Sequence, residues 1–263
     1  MLRKESGVAD LLANSWQVQF DTFAVDMNGS YRYQVLIPVY NEADNLMTNM
    51  RELVMFFDNN CINFNLLIID DGSSDGTFDV IKRLKIKDDR ISCKRLVKSY
   101  GKDYAIMSCM CCNDIDYYLV LDSDMQLSTD DMKKMIELAE LDPSIEIVSA
   151  IRATRYFGSV FYRIATEVFY FLVKAISGDN YRLTTDYKLV SSQCGKLIYS
   201  KFVSRQLYFR GVCEQLPVKH ISMEVMLKRS ERKTRFSIWR YFQLIKNILF
   251  FSYIQRGVKN GNR

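Results

Sequence analysis

At 263 residues the chain suits one large α/β domain, or one such domain with appendages. Hydrophobic residues make up 48% and charged residues 25%, a globular composition that excludes a disordered chain. The net charge of +5 is modest but unevenly placed: residues 228–263 hold ten Lys or Arg against one acid, Glu231, a tail suited to phosphates, anionic lipid headgroups or nucleic acid.

Other global features narrow the setting. The seven cysteines are odd in number and lie in apolar segments, with Cys109, Cys111 and Cys112 on one stretch. No Cys-x-x-Cys pair recurs at zinc spacing, so they read as buried thiols in a reducing cytoplasm rather than disulfides. Residues 1–30 contain no apolar signal-peptide core and read as an arm, partly disordered. No run of 18 apolar residues occurs, so no membrane span is expected.

In chain order, Gln34–Val39 is an apolar run that ends in Tyr40-Asn41-Glu42 and reads as a first parallel strand with its loop. Residues 43–58 carry Leu46, Met50, Leu53, Val54 and Phe57 at helical spacing. Asn65–Ile69 is a second strand. It runs into Asp70-Asp71-Gly72-Ser73-Ser74-Asp75-Gly76-Thr77, a turn and helix start in which Gly supplies positive φ and Ser, Thr or Asp caps. No Gly-Lys-Ser/Thr closes that turn, so it is not a Walker P-loop. A carboxylate after the second strand of a nucleotide fold can take ribose hydroxyls or a base N–H. Ile91–Val97 reads as a third strand. Lys102, after Gly101 at the start of an apolar helix to about Cys112, can face a phosphate or simply be solvated.

Tyr117–Leu121 is a short, unbroken apolar strand that ends in Asp122-Ser123-Asp124-Met125-Gln126. Side chains at i and i+2 of an extended segment point the same way, so Asp122 and Asp124 can converge on a hard divalent cation with bound phosphate. The plainer reading is an Asp cap on the following helix. Ser128 caps a helix over 129–141, and Ile145–Ala150 is a further strand. The alternation of strand and helix argues for an α/β fold with a mostly parallel central sheet.

Together Ile37–Glu42, Asp70–Thr77 and Asp122–Gln126 resemble the three signatures of inverting family 2 glycosyltransferases with the GT-A fold, a Rossmann-like nucleotide-diphospho-sugar transferase architecture. The resemblance implies that Pro38, Tyr40, Glu42, Asp70, Asp71 and Asp122 bind the nucleotide, and Lys102, at its helix start, is a further candidate for that site. It also implies that Asp122, Asp124 and Gln126 hold Mg²⁺ or Mn²⁺ on the diphosphate. Further along, Thr185-Asp186-Tyr187-Lys188-Leu189 resembles the Asp-Phe-Arg-Leu segment of the polyprenyl-phosphate, dolichol-phosphate mannosyltransferase-like group, whose aspartate lies in the acceptor site and has been assigned as the base. Asp186 matches it and, with Asp124, is the catalytic candidate; a helix cap after Thr184-Thr185 is the alternative. Arg229–Phe236 stands where that group carries an Arg…Gly-x-Ser-Lys-Tyr loop, with Arg232 in place of the glycine and Thr234-Arg235-Phe236 in place of Ser-Lys-Tyr. Arg152, Arg229, Arg232 and Arg235 are candidates for gripping an acceptor or the diphosphate.

An aromatic helix is expected over about 158–177, mostly as core. Residues 238–251 interleave aromatics with cations, too short and charged to span a bilayer, and read as an interfacial amphipathic helix or one packed on the catalytic domain. His220 is assigned a structural place. The expected organisation is an arm (1–30), a GT-A domain (31–235) and a basic amphipathic helix and tail (236–263). The expected function is transfer of a hexose from a nucleotide-diphospho-sugar to polyprenyl phosphate at the cytoplasmic membrane face. The chain would be peripheral there, through lipid or a membrane-protein partner, without nucleic acid. Elongation of a cell-surface polysaccharide on a sugar hydroxyl and a catalytically idle nucleotide-sugar-binding subunit are the alternatives.

Overall fold

The computed structural model describes residues 32–112, 114–153, 168, 171, 184–203 and 207–228. Among them the chain runs β1 (Tyr33–Val39), α1 (Ala43–Asn59), β2 (Phe64–Asp70), α2 (Thr77–Lys87), β3 (Ile91–Arg95), α3 (Lys102–Met107) and β4 (Tyr117–Val120). It continues through α4 (Thr129–Leu141), β5 (Ile147–Arg152), β6 (Thr184–Ser191), α5 (Ser192–Phe202), α6 (Phe209–Gln215) and β7 (His220–Val225). The strands form one sheet of order β3-β2-β1-β4-β6-β5-β7. All neighbours are parallel except β6, which runs antiparallel to β4 and to β5.

Strand periodicity builds the two cores. Val35, Ile37, Val39, Leu66, Ile68, Leu119 and Leu121 join α1, α2 and α4 on one face, while Leu36, Leu67, Ile69, Tyr118 and Val120 join α3, α5 and α6 on the other. Buried side chains of this kind contribute about 1.5–3 kcal/mol each, which is why unbroken apolar runs become central parallel strands. Pro38 fits inside β1 because its missing N–H falls on the β4 side, and the β1–β4 ladder ends at Leu36↔Val120. The chain departs from β4 at that point.

Close packing fixes the second face. A Cβ on Gly195, inside α5, would lie 2.4 Å from the Tyr118 ring, so only glycine lets the helix approach β4. The Tyr118 hydroxyl donates to the Cys112 carbonyl (3.2 Å) and accepts from the Cys112 N–H (2.7 Å), which ties the end of the segment after α3 to the sheet.

The helices expected at 43–58 and 129–141 are α1 and α4, and Ser128 caps α4 by accepting from the Asp131 N–H at 3.1 Å. The third strand ends at Arg95 rather than Val97, and the helix begun at Lys102 stops at Met107 and continues in turns. Two cysteines expected to be buried, Cys61 and Cys111, are exposed, and all seven thiols are free. The arm at 1–30 and the basic segment at 236–263 lie outside the described residues, as does the aromatic helix apart from Val168 and Phe171, which are helical. Among the described residues no helix is long and apolar enough to cross a membrane.

Candidate active site

The order β3-β2-β1-β4 places a topological switch between β1 and β4, because the chain leaves β1 toward β2 on one side and reaches β4 on the other. Loops beyond the carboxyl ends of those strands diverge and leave a crevice. The three sequence signatures are those loops. They are also hydrogen-bonded to one another. The Asn41 N–H donates to Ser73 Oγ (3.0 Å), the Ser74 N–H to Asn41 Oδ1 (2.9 Å) and the Glu42 N–H to Thr77 Oγ1 (2.7 Å). The Ser123 hydroxyl donates to the Glu42 carboxylate, and the Asn49 amide donates to the Ser123 carbonyl at 2.7 Å. Asn41 and Met125, one in the first loop and one in the third, adopt positive φ of 54° and 49°, a conformation that non-glycine residues enter only where surroundings hold them.

The aspartates of the second loop have separate tasks. Asp70 is fully buried; it accepts from the Ser73 N–H (2.9 Å) and pairs with Arg95 Nε (3.2 Å), organising the turn. Asp71 accepts from the Ser99 hydroxyl (2.7 Å) and from the N–H groups of Tyr100 (2.8 Å) and Gly101 (3.0 Å). Burial pushes its carboxyl up, against those hydrogen bonds. Gly72 has a φ of 72°, and a Cβ there would meet the Lys98 carbonyl carbon at 2.6 Å, so this loop closes tightly on residues 98–101. Tyr40 is 50% exposed at the mouth of β1, and Pro38 is buried within the strand.

The antiparallel course of β6 completes the site. Its first residues lie at the end of the sheet where β4 finishes. Carrying the register past Val120↔Lys188 sets Asp186 across from Asp122. Asp186 is therefore a strand residue and not a helix cap, and it is 7% exposed. Lys102, at the start of α3, bridges the two acids: its ammonium donates to Asp122 Oδ1 and, at 2.6 Å, to Asp186 Oδ2. Arg210 on α6 grips Asp186 from the other side, through Nε to Oδ1 and through a second nitrogen to Oδ2 at 2.6 Å, and also donates to the Thr184 carbonyl (3.0 Å). Burial alone would raise the Asp186 carboxyl, but the charges of Arg210 and then Lys102 hold it far below the usual carboxylate range. Burial would likewise lower the Lys102 ammonium; Asp122 and Asp186 outweigh it and keep it charged. Beside them Asp103, which accepts from the Phe209 N–H (2.9 Å), is pushed up to about 6 by burial and by the Asp186 charge.

One turn along α6 from Arg210, Glu214 pairs with the fully buried Lys188 at 2.8 Å. Lys188 also donates to Ser149 Oγ (2.5 Å), and His220 lies 2.7 Å from the same oxygen and 3.6 Å from Glu214. Ser149 is fully buried, so this Ser–His–Glu order has no path to a substrate and serves to dock α6. Burial lowers the His220 imidazole despite Glu214, which suits a neutral structural histidine. Arg210, Asp103, Lys188 and Glu214 were not singled out from the sequence. The available signal for Arg210 was a lone cation within Leu207–Cys213, since a charge buried in an apolar run needs a partner.

Asp122 and Asp124 lie beyond β4, and Gln126 follows, its amide donating to Asp124 Oδ2 at 2.5 Å. An all-oxygen donor set of this kind fits Mg²⁺ or Mn²⁺ by its chemistry. Among the described residues no group of three His, Cys, Asp or Glu converges on one point, and the positive charge beside Asp122 is Lys102. Arg152 ends β5 on the same rim. Arg229, Arg232 and Arg235 lie outside the described residues.

The chain is 24% identical over 208 residues to the uncharacterised glycosyltransferase YkcC of Bacillus subtilis (strain 168), covering 78% of this chain and 62% of that one. It is 28% identical over 148 residues to the undecaprenyl-phosphate 4-deoxy-4-formamido-L-arabinose transferase of Salmonella choleraesuis (strain SC-B67), covering 56% and 44%. The chain thus spans less than two thirds of either relative's length. In fold it is similar to the mannosyltransferase PcManGT from Pyrobaculum calidifontis, solved with GDP-Man and Mn²⁺, with a TM-score of 0.56, 15% identity and coverage of 94% of this chain and 71% of that one. The sheet is that of the GT-A fold. The model of Glycosyl transferase family 2 matches residues 34–215, most of the chain, and the protein belongs to that family.

Proposed function

We propose that the chain is an inverting glycosyltransferase that moves a hexose from a nucleotide-diphospho-sugar to polyprenyl phosphate at the cytoplasmic face of a membrane. The observation that carries this reading is Asp186 held beside Asp122 by Lys102, which joins a donor-side acid to an acceptor-side acid across the β4–β6 boundary. The name of the Salmonella relative supplies the lipid-phosphate class of acceptor.

The roles follow from charge. The β1 and β2 loops hold the nucleoside, and Lys102 turns from its acids toward the diphosphate as that group enters. Asp122 and Asp124, with Gln126, would hold Mg²⁺ or Mn²⁺, which supplies positive charge where the leaving diphosphate becomes more negative. The acceptor oxygen attacks the anomeric carbon from the face opposite the leaving group. The bond to the diphosphate oxygen breaks, and the nucleoside diphosphate departs with the electron pair. A hydroxyl acceptor would need a base, and a carboxylate gripped by two cations is a poor one. A phosphate arrives already anionic and needs none. In this reading Asp186 orients Lys102 toward the diphosphate and Arg210 toward the acceptor's charge.

The test is a transfer assay with purified protein, Mn²⁺ or Mg²⁺, a panel of UDP- and GDP-sugars and short-chain polyprenyl phosphate. The expected result is butanol-extractable labelled sugar that disappears in Asp124→Asn. Metal-dependent donor hydrolysis without a lipid product would move the acceptor to a sugar hydroxyl. Tight nucleotide binding with neither activity would leave a binding subunit.

A further inference from the structure

Asp103 takes no part in gripping Asp186, yet it joins the two helices whose cations do. Lys102 and Asp103 are the first residues of α3, and Phe209 and Arg210 are the first residues of α6. Lys102 and Arg210 both bond Asp186, while Asp103 Oδ1 accepts from the Phe209 N–H at 2.9 Å. Two neighbours on one helix thus meet two neighbours on the other, once through Asp186 and once directly.

The direct contact closes an open helix end. The first N–H groups of a helix have no partner inside it. Tyr208, at the N-cap of α6, makes no side-chain cap bond. Asp103 supplies the missing acceptor from another helix, 106 positions earlier in the chain. As a carboxylate it also complements the positive end of the helix, and its hydrogen bond is of the stronger, charge-assisted kind. Leu207, Phe209 and Val212 bury α6 against the sheet, but apolar contact is non-directional. The Asp103 bond adds direction at the end of α6 from which Arg210 reaches Asp186.

We propose that Asp103 is a positioning residue for the transfer reaction: by holding the Phe209 N–H it keeps Arg210 directed at the acceptor's charge when Lys102 turns to the diphosphate. This rests on the polyprenyl-phosphate reading above. Here Lys102 and Arg210 share Asp186, so that carboxylate links α3 to α6. Once Lys102 leaves it, the Asp103–Phe209 hydrogen bond remains as a polar link between those helices. Small misplacements of a positioned group are costly in rate, so a helix end left unpinned should show in turnover.

The test compares Asp103→Leu, which removes the acceptor oxygen at similar volume, with Asp103→Asn, which keeps one for the Phe209 N–H. Each is assayed for lipid product with Mn²⁺, UDP- and GDP-sugars and short-chain polyprenyl phosphate, and for nucleotide binding by titration calorimetry. Asp103→Leu should lower kcat/KM for polyprenyl phosphate about tenfold, the loss of one charge-assisted hydrogen bond, and leave nucleotide affinity unchanged. Asp103→Asn should restore most of that loss. Wild-type acceptor kinetics in Asp103→Leu overturn the inference and leave the enzyme reading intact. An equal loss in both variants also overturns it, since the charge and not the bond would then matter. So does a parallel fall in nucleotide affinity, which would make the residue a support of the whole site. Should Asp103→Leu fail to fold, Asp103→Ala takes its place with the same expectations. Wild type that consumes donor without lipid product overturns the acceptor reading and this inference with it.

Discussion

The two sides of the sheet are built by different physics. In β3-β2-β1-β4 the strands are mostly apolar on both faces, with buried Gln34, Asn65 and Ser92 bonded to one another, and each helix follows its strand in sequence, so local pattern and hydrophobic burial carry most of the assembly. In β6-β5-β7 the face of β6 toward α6 carries Thr184, Asp186 and Lys188, and helix and strand are joined by ion pairs of opposite polarity, Arg210–Asp186 and Glu214–Lys188. The parallel half supplies the crevice at the β1–β4 switch. The antiparallel strand brings one acid, Asp186, to its edge.

The largest effect expected from breaking this contrast is at Lys188. Lys188→Met leaves the partly buried Glu214 carboxylate without its ammonium and should cost about 2–3 kcal/mol in urea denaturation, below the loss for a fully buried pair. The double variant Lys188→Met with Glu214→Leu removes both charges and should recover most of that loss. A single variant as stable as wild type would mean that α6 is docked by its apolar residues alone, as the helices of the parallel half are.

A smaller effect sharpens the electrostatic side. The Asp103 carboxyl, pushed up to about 6, binds its proton more tightly folded than unfolded, so the folded state loses stability as pH rises from about 4 through 6. Asp103→Asn retains an oxygen for the Phe209 N–H and carries no charge. It should raise the melting temperature by about 2–4 °C at pH 8 and leave it unchanged at pH 4. A gain independent of pH would contradict the assignment.

The same contrast explains what could be read from the sequence. The strands at 34–39, 65–69 and 117–121 are short apolar runs, and α4 announces itself by Ser128 before a periodic segment. β6 has a clear two-residue alternation: Thr184, Asp186 and Lys188 against Thr185, Tyr187 and Leu189. Taken alone, its polar face reads as solvent-facing or as a cap. Only the docking of α6, more than 20 positions on, turns that face inward and shows Arg210 and Glu214 as its partners. The site was legible wherever acids follow an apolar run, as at Asp70, Asp71, Asp122 and Asp124. It was not legible where one charge meets another across the fold, as at Lys102–Asp186 and Arg210–Asp186. Cys61 and Cys111 show the same limit in reverse, since thiols in apolar surroundings by sequence proved exposed in space.

The central claim is that β6 brings Asp186 beside Asp122, where it positions Lys102 and Arg210. Its most direct test is lipid-product formation by Asp186→Asn, measured together with Mn²⁺-dependent nucleotide binding. The account predicts nucleotide affinity within a few-fold of wild type, with extractable product reduced on the order of a hundredfold or more, because the two cations lose the charge that positions them. Product formation at the wild-type rate would contradict it and reduce Asp186 to a structural partner of Arg210.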